Sequence, residues 1–192
     1  MEIEQMQIFI TNIEQSFGRT NSGLKVMQTT DQRSAYASGF NILGIHLIGN
    51  INVDMQRLRP DVFTDPEIQF ILSHEYTHIF KNHAVANILS SGLEIVLRGP
   101  NNERSNLGDL ARSVIQPGLL TTQEYEADLG AFQITHNLDF AISCLSKLVG
   151  GRLEQPSHTW ELRDIDIPAM TMGQRITELR RHALLGRPSI FI

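Results

Sequence analysis

Apolar positions along this chain recur with two periods. From Glu2 to Phe17, the residues Met6, Phe9, Ile10, Ile13 and Phe17 fall at helical intervals, and Gly18 supplies a stop, so this stretch reads as a helix. Residues 26–49 mix β-branched residues, glycines and alternation, which reads as two or three strands with His46 in the last of them. A second helical pattern follows Thr64 and Asp65, either of which can serve as N-cap. Pro66 falls in the first turn, where its missing N–H costs nothing, and Thr64 and Glu67 have the spacing of a capping box. Ile68, Ile71, Leu72, Glu75 and Ile79 then follow the i, i+3, i+4, i+7 rule. Further helices are expected over a segment centred on Glu124 and Asp128, from Asp139 to Val149 before a Gly-Gly pair, and from Gly173 to Leu185 before Gly186. Residues 99–108 form the clearest loop, a lid or a long connection between two of these helices.

The second helix window carries the chemistry. His74-Glu75-Tyr76-Thr77-His78 reads H-E-x-x-H. On a helix the two histidines project one turn apart from one face, so two neutral imidazoles can grip one Zn²⁺ while Glu75 is placed to act as a base on a water. A five-residue pattern is short enough to arise by chance, and here the capped, amphipathic helix around it argues for a real site. His83, just beyond, reads as a surface or capping residue, since histidine is only intermediate in burial.

Two histidines leave the site short of a ligand, because catalytic zinc usually takes three protein ligands. Glu124 and Asp128 are spaced i, i+4 and share one face of a helix, and the small residues Ala127, Gly130 and Ala131 would let that helix approach the first closely. Glu124 is the candidate third ligand. Asp128 is a candidate to accept a hydrogen bond from the second nitrogen of a ligand histidine and so fix its tautomer. Two alternatives stay open from spacing alone. Thr121 and Glu124 also have capping-box spacing, which would make Glu124 a first-turn residue, and Glu126 competes as the ligand.

H-E-x-x-H followed by E-x-x-x-D, with Ala127 before the Asp, resembles the M48-type gluzincin metallopeptidases, the group of the HtpX and CAAX-prenyl proteases, in a soluble and minimal form. Ala35-Tyr36-Ala37-Ser38-Gly39 is similar to the family's N-A-F-A-x-G segment, and Gln174-Arg175-Ile176 to its late R-I pair. The resemblance implies a zincin-like α+β domain, predominantly helical, with a small twisted sheet packed on the H-E-x-x-H helix. It also implies a zinc-dependent endopeptidase: Zn²⁺ held by His74, His78 and Glu124, Glu75 as catalytic base, and a peptide or unfolded protein as substrate, lying along an edge strand near Ile45 to Ile51. One departure stands out. The family commonly has His-Pro ahead of the R-I pair, where this chain has Ala169; His158 is a possible substitute, and Arg175 is either an oxyanion donor or a helix salt-bridge partner. That departure keeps an alternative in view, a zinc-binding regulatory or protein-interaction domain without proteolysis.

Composition narrows the rest. The 192 residues suit one domain, 1–192, and 41% hydrophobic content is ordinary for a packed core. A net charge of −5, with lysine only at 25, 81 and 147, argues against nucleic-acid binding. Cys144 is the single cysteine, so no intramolecular disulfide forms. The acidic start lacks a basic signal region, and no run of about 20 apolar residues is present; a cytoplasmic chain without a membrane span is expected. The apolar tail after Gly186 would pack on its own domain or on a partner. Oligomeric state is not legible from these features.

Overall fold

The computed structural model describes residues 1–19, 23–30, 33–42, 46–86, 89, 116–148 and 171–186. In chain order the elements are α1 (Ile3–Ser16), β1 (Gly23–Gln28), β2 (Ala35–Ile42), β3 (His46–Val53), α2 (Asp65–Phe80), α3 (Gln116–Thr135), α4 (Leu138–Leu148) and α5 (Met172–Leu185). The fold is α+β and mostly helical, as the sequence predicts. The expectations at residues 99–108, His158, Ala169 and the tail 187–192 lie outside the described residues.

The sheet has the order β1-β3-β2, with β1 parallel and β2 antiparallel to β3. This corrects the expectation of an edge strand near Ile45 to Ile51: β3 is central. Its inward residues explain why. Leu47, Ile51 and Val53 are all 0% exposed, and the strand with the most apolar surface to bury gains most from neighbours on both sides. Gly39 and Gly49 face each other across β2 and β3, where a Cβ on either would collide with the partner backbone; Gly49 also sits at φ +150°, which disfavours other residues.

The edges of the sheet are β1 and β2, and amide side chains close part of each. Gln7 of α1 spans the β1 edge, donating to the Leu24 carbonyl at 3.3 Å and accepting from the Val26 N–H at 2.7 Å. Asn82 does the same on β2, accepting from the Asn41 N–H at 2.5 Å and donating to the Asn41 carbonyl at 2.9 Å. Because antiparallel pairing alternates, the backbone groups of Ala37 and Gly39 face the same outer side of β2 as those of Asn41.

Helix α2 is the hub. It packs against β2 and β3 on one side and α3 and α4 on the other, with α5 resting on α3 and α4. Its start follows the sequence signals: Thr64 is the N-cap, Pro66 sits in the first turn, and the Thr64–Glu67 capping box closes. Glu67, 1% exposed, also accepts from Ser143 Oγ at 2.6 Å and Lys147 Nζ at 2.7 Å, which staples α2 to α4. Ile68, Ile71, Leu72 and Ile79 are buried in the core, as their spacing predicts.

Candidate metal centre

The close approach of α2 and α3 builds the site. Gly130 of α3 lies against Thr77 of α2, so near that an added methyl would fall inside the Thr77 side chain. Ala127 and Ala131 beside it are 0% exposed. This run of small residues brings the α3 carboxylates onto the α2 histidines.

His74, His78 and Glu124 converge, with one ligand atom from each lying within 4.8 Å of the others. The separations are 3.1 Å between the two Nε2 atoms, 3.3 Å from His78 Nε2 to Glu124 Oε1 and 3.5 Å from His74 Nε2 to Glu124 Oε2. Bonds of roughly 2.0–2.1 Å to a tetrahedral ion place its ligand atoms about 3.3 Å apart, and these contacts, in which each histidine reaches a different oxygen of Glu124, are of that size. The donor set, two imidazoles and a carboxylate, is that of open catalytic zinc sites. Glu124 lies well inside α3 and not in its first turn, which removes the capping alternative. Glu126 points elsewhere, to His83, and is not part of the cluster. Glu75 is half-buried beside the pair on α2.

Behind His74 is a buried chain of charges. Asp128 Oδ1 lies 3.0 Å from His74 Nδ1. Arg175 of α5 donates through Nε and Nη2 to Asp128, and its Nη1 lies 3.1 Å from Glu124 Oε2. Arg175 is therefore neither an oxyanion donor nor a surface salt-bridge partner along its own helix. It is 4% exposed and ties together the two carboxylates of the E-x-x-x-D motif. Burial would raise the Asp128 carboxyl, but the guanidinium and His74 hold it low; burial would weaken the charge on Arg175, and the two carboxylates outweigh that. Burial likewise opposes a charge on His74, yet Asp128 and Glu124 overcome it and push its pKa up to about 10. A divalent cation at Nε2 would meet the same negative field that holds this proton. Once a cation takes the place of that proton, the hydrogen bond from Nδ1 to Asp128 keeps the remaining N–H on Nδ1 and gives Nε2 to the metal, the tautomer a ligand needs.

His83 overturns its surface reading. It is 4% exposed, with Nδ1 2.8 Å from His78 Nδ1 and Nε2 3.1 Å from Glu126 Oε2. Burial, and then the neighbouring His78, push its pKa down to about 3, so it is neutral. The signal for this placement was Asn82. An Asn just past a helix end favours the left-handed conformation, and Asn82 adopts φ +57°, turning the chain back so that His83 lies beside His78. His46 falls at the start of β3, paired in register with Ile42.

With this geometry in place, the comparison with known families is decisive. Residues 3–184 match peptidase family M48, nearly the whole chain, and the protein belongs to that family. Members of the family are metal-dependent peptidases, generally using zinc, and the His74–His78–Glu124 cluster is a plausible place for that ion in this chain. No curated protein and no solved structure matches the chain. No helix among the described residues is long and apolar enough to cross a membrane.

Proposed function

We propose that the chain is a zinc-dependent endopeptidase, one domain spanning 1–192, that hydrolyses peptide bonds in peptides or unfolded proteins. The observation that carries this reading is the convergence of the His74 and His78 Nε2 atoms and the Glu124 carboxylate at separations one metal ion can bridge, beside an acidic residue, Glu75, that is not itself part of the cluster. A bound zinc supplies Lewis acidity that polarises a scissile carbonyl and acidifies a water. The Glu75 carboxylate takes the proton from the attacking water and passes it to the leaving amine. Asp128 keeps the His74 proton on Nδ1, and Arg175 holds Asp128 and Glu124 in place. A peptide would lie extended along the outer side of β2, pairing with the backbone of Ala37 and Gly39, with Asn82 ending the free edge at Asn41. Backbone pairing of this kind reads shape more than side chains. We place the enzyme in the cytoplasm as part of the same proposal, where a lone buried thiol such as Cys144 stays reduced.

Arg175 is occupied by carboxylates and gives nothing to an oxyanion, which favours a second reading, metal binding without hydrolysis. Cleavage of unfolded casein separates the two. The peptidase reading expects cleavage by the zinc-loaded wild type and loss of at least about 100-fold, within the range for a removed general base, in Glu75→Gln with zinc retained. Full cleavage by Glu75→Gln would remove Glu75 as the base, and no cleavage by the loaded wild type would leave the second reading standing.

A further inference from the structure

His78 has a support of its own, separate from the Asp128–Arg175 chain behind His74. We propose that His83 and Glu126 are a positioning pair that fixes the tautomer and ring orientation of His78. The inference rests on the reading of His78 as a metal ligand through Nε2.

Proton bookkeeping fixes the direction of the chain. A neutral imidazole carries one N–H. If His78 Nε2 presents its lone pair to a cation, its proton is on Nδ1. That proton points at His83 Nδ1, 2.8 Å away, so His83 Nδ1 must be the acceptor. The His83 proton is then on Nε2, 3.1 Å from Glu126 Oε2, which as a carboxylate can only accept. Each bond in the series Glu126, His83, His78 is satisfied by one tautomer of each ring, and that tautomer leaves His78 Nε2 free for metal. The reverse assignment would place the His78 proton on Nε2 and close the ligand position.

The local structure holds His83 for this use. Its ring meets that of His78 edge-on, with centroids 4.8 Å apart at 79°. Gln123, 3% exposed on α3, approaches the His83 carbonyl at 3.4 Å. Glu126 sits one residue before Ala127 on the same helix that presents Glu124, so the ligand and the far end of this chain ride on a single rigid element.

The test is zinc affinity, measured by competition with a chromophoric chelator, alongside the melting temperature of the metal-free protein. His83→Ala should weaken zinc by 10–100-fold, the usual effect of losing such an outer partner. His83→Asn offers an amide oxygen where Nδ1 stood and should return to within a few-fold of wild type. Glu126→Ala, at a site 40% exposed and so safe for folding, should weaken zinc by about 10-fold, and Glu126→Gln, which can still accept, should not. In the His83→Asn background, which has lost the link, Glu126→Ala should have no further effect. Wild-type affinity in both His83→Ala and Glu126→Ala overturns the proposal, as does His83→Asn binding no better than His83→Ala, which would mark a packing role alone. A wild type that takes up no zinc overturns the metal reading itself, and with it this one.

Discussion

The two histidines of the H-E-x-x-H motif face one cluster but are held from opposite environments. Behind His74 stand Asp128 at 0% and Arg175 at 4% exposure, an ion pair locked between three helices. Behind His78 stands neutral His83, and behind that Glu126, whose side chain is 40% exposed. The first support is inseparable from folding, because an ion stranded in the interior is costly. The second ends at solvent, where a lost partner is replaced by water. The same chemical task, fixing an imidazole tautomer, is therefore tied to stability on one side and nearly free of it on the other.

The largest test of that contrast is Arg175→Ala. It strands Asp128 and Glu124 together and should destabilise the metal-free protein by about 3–5 kcal/mol in chemical denaturation. Combining Arg175→Met with Asp128→Leu, which removes both charges, should recover part of the loss. Glu67 repeats the comparison away from the metal site, since it is a buried carboxylate whose cation, Lys147, is 35% exposed. Burial raises its pKa, but Lys147, Ser143 and Thr64 outweigh that and lower it from 4.5 to about 2. A depressed folded pKa means stability that is fully present above about 4.5 and is lost as pH falls toward 2. Glu67→Gln should flatten acid unfolding in that window and lower stability at neutral pH by about 2 kcal/mol, less than the full linkage value because Lys147 is partly solvated.

Gly130→Ala acts on both supports at once by pushing α3 off Thr77. It should destabilise by about 1–2 kcal/mol and weaken zinc, and adding Thr77→Ala should restore part of both, as read by denaturation and chelator competition. Glu126→Ala should show the smallest stability change, below about 0.5 kcal/mol, with its effect confined to zinc affinity. A loss of several kcal/mol there would erase the contrast.

Much of this molecule was legible in the amino-acid order, for local reasons. The α2 cap, its apolar stripe and the i, i+4 pairs His74/His78 and Glu124/Asp128 all depend on contacts within one or two turns. Small residues at Ala127, Gly130 and Ala131 announced a close helix pair. What escaped needed tertiary neighbours. Arg175 sits 47 residues from Asp128, and nothing in its own helix distinguishes an inward guanidinium from an outward one. His83 reads as polar and peripheral until Asn82 reverses the chain and α3 brings Glu126 over it. The strand order escaped too, because apolar alternation shows which face of β3 is buried but not whether one or two strands flank it.

Zinc content of the chain purified without added metal, wild type beside Glu124→Ala, tests the central claim most directly. The account predicts about one zinc per chain in the wild type and strong depletion in the variant. Equal occupancy in the two, or a wild type without zinc, would contradict it.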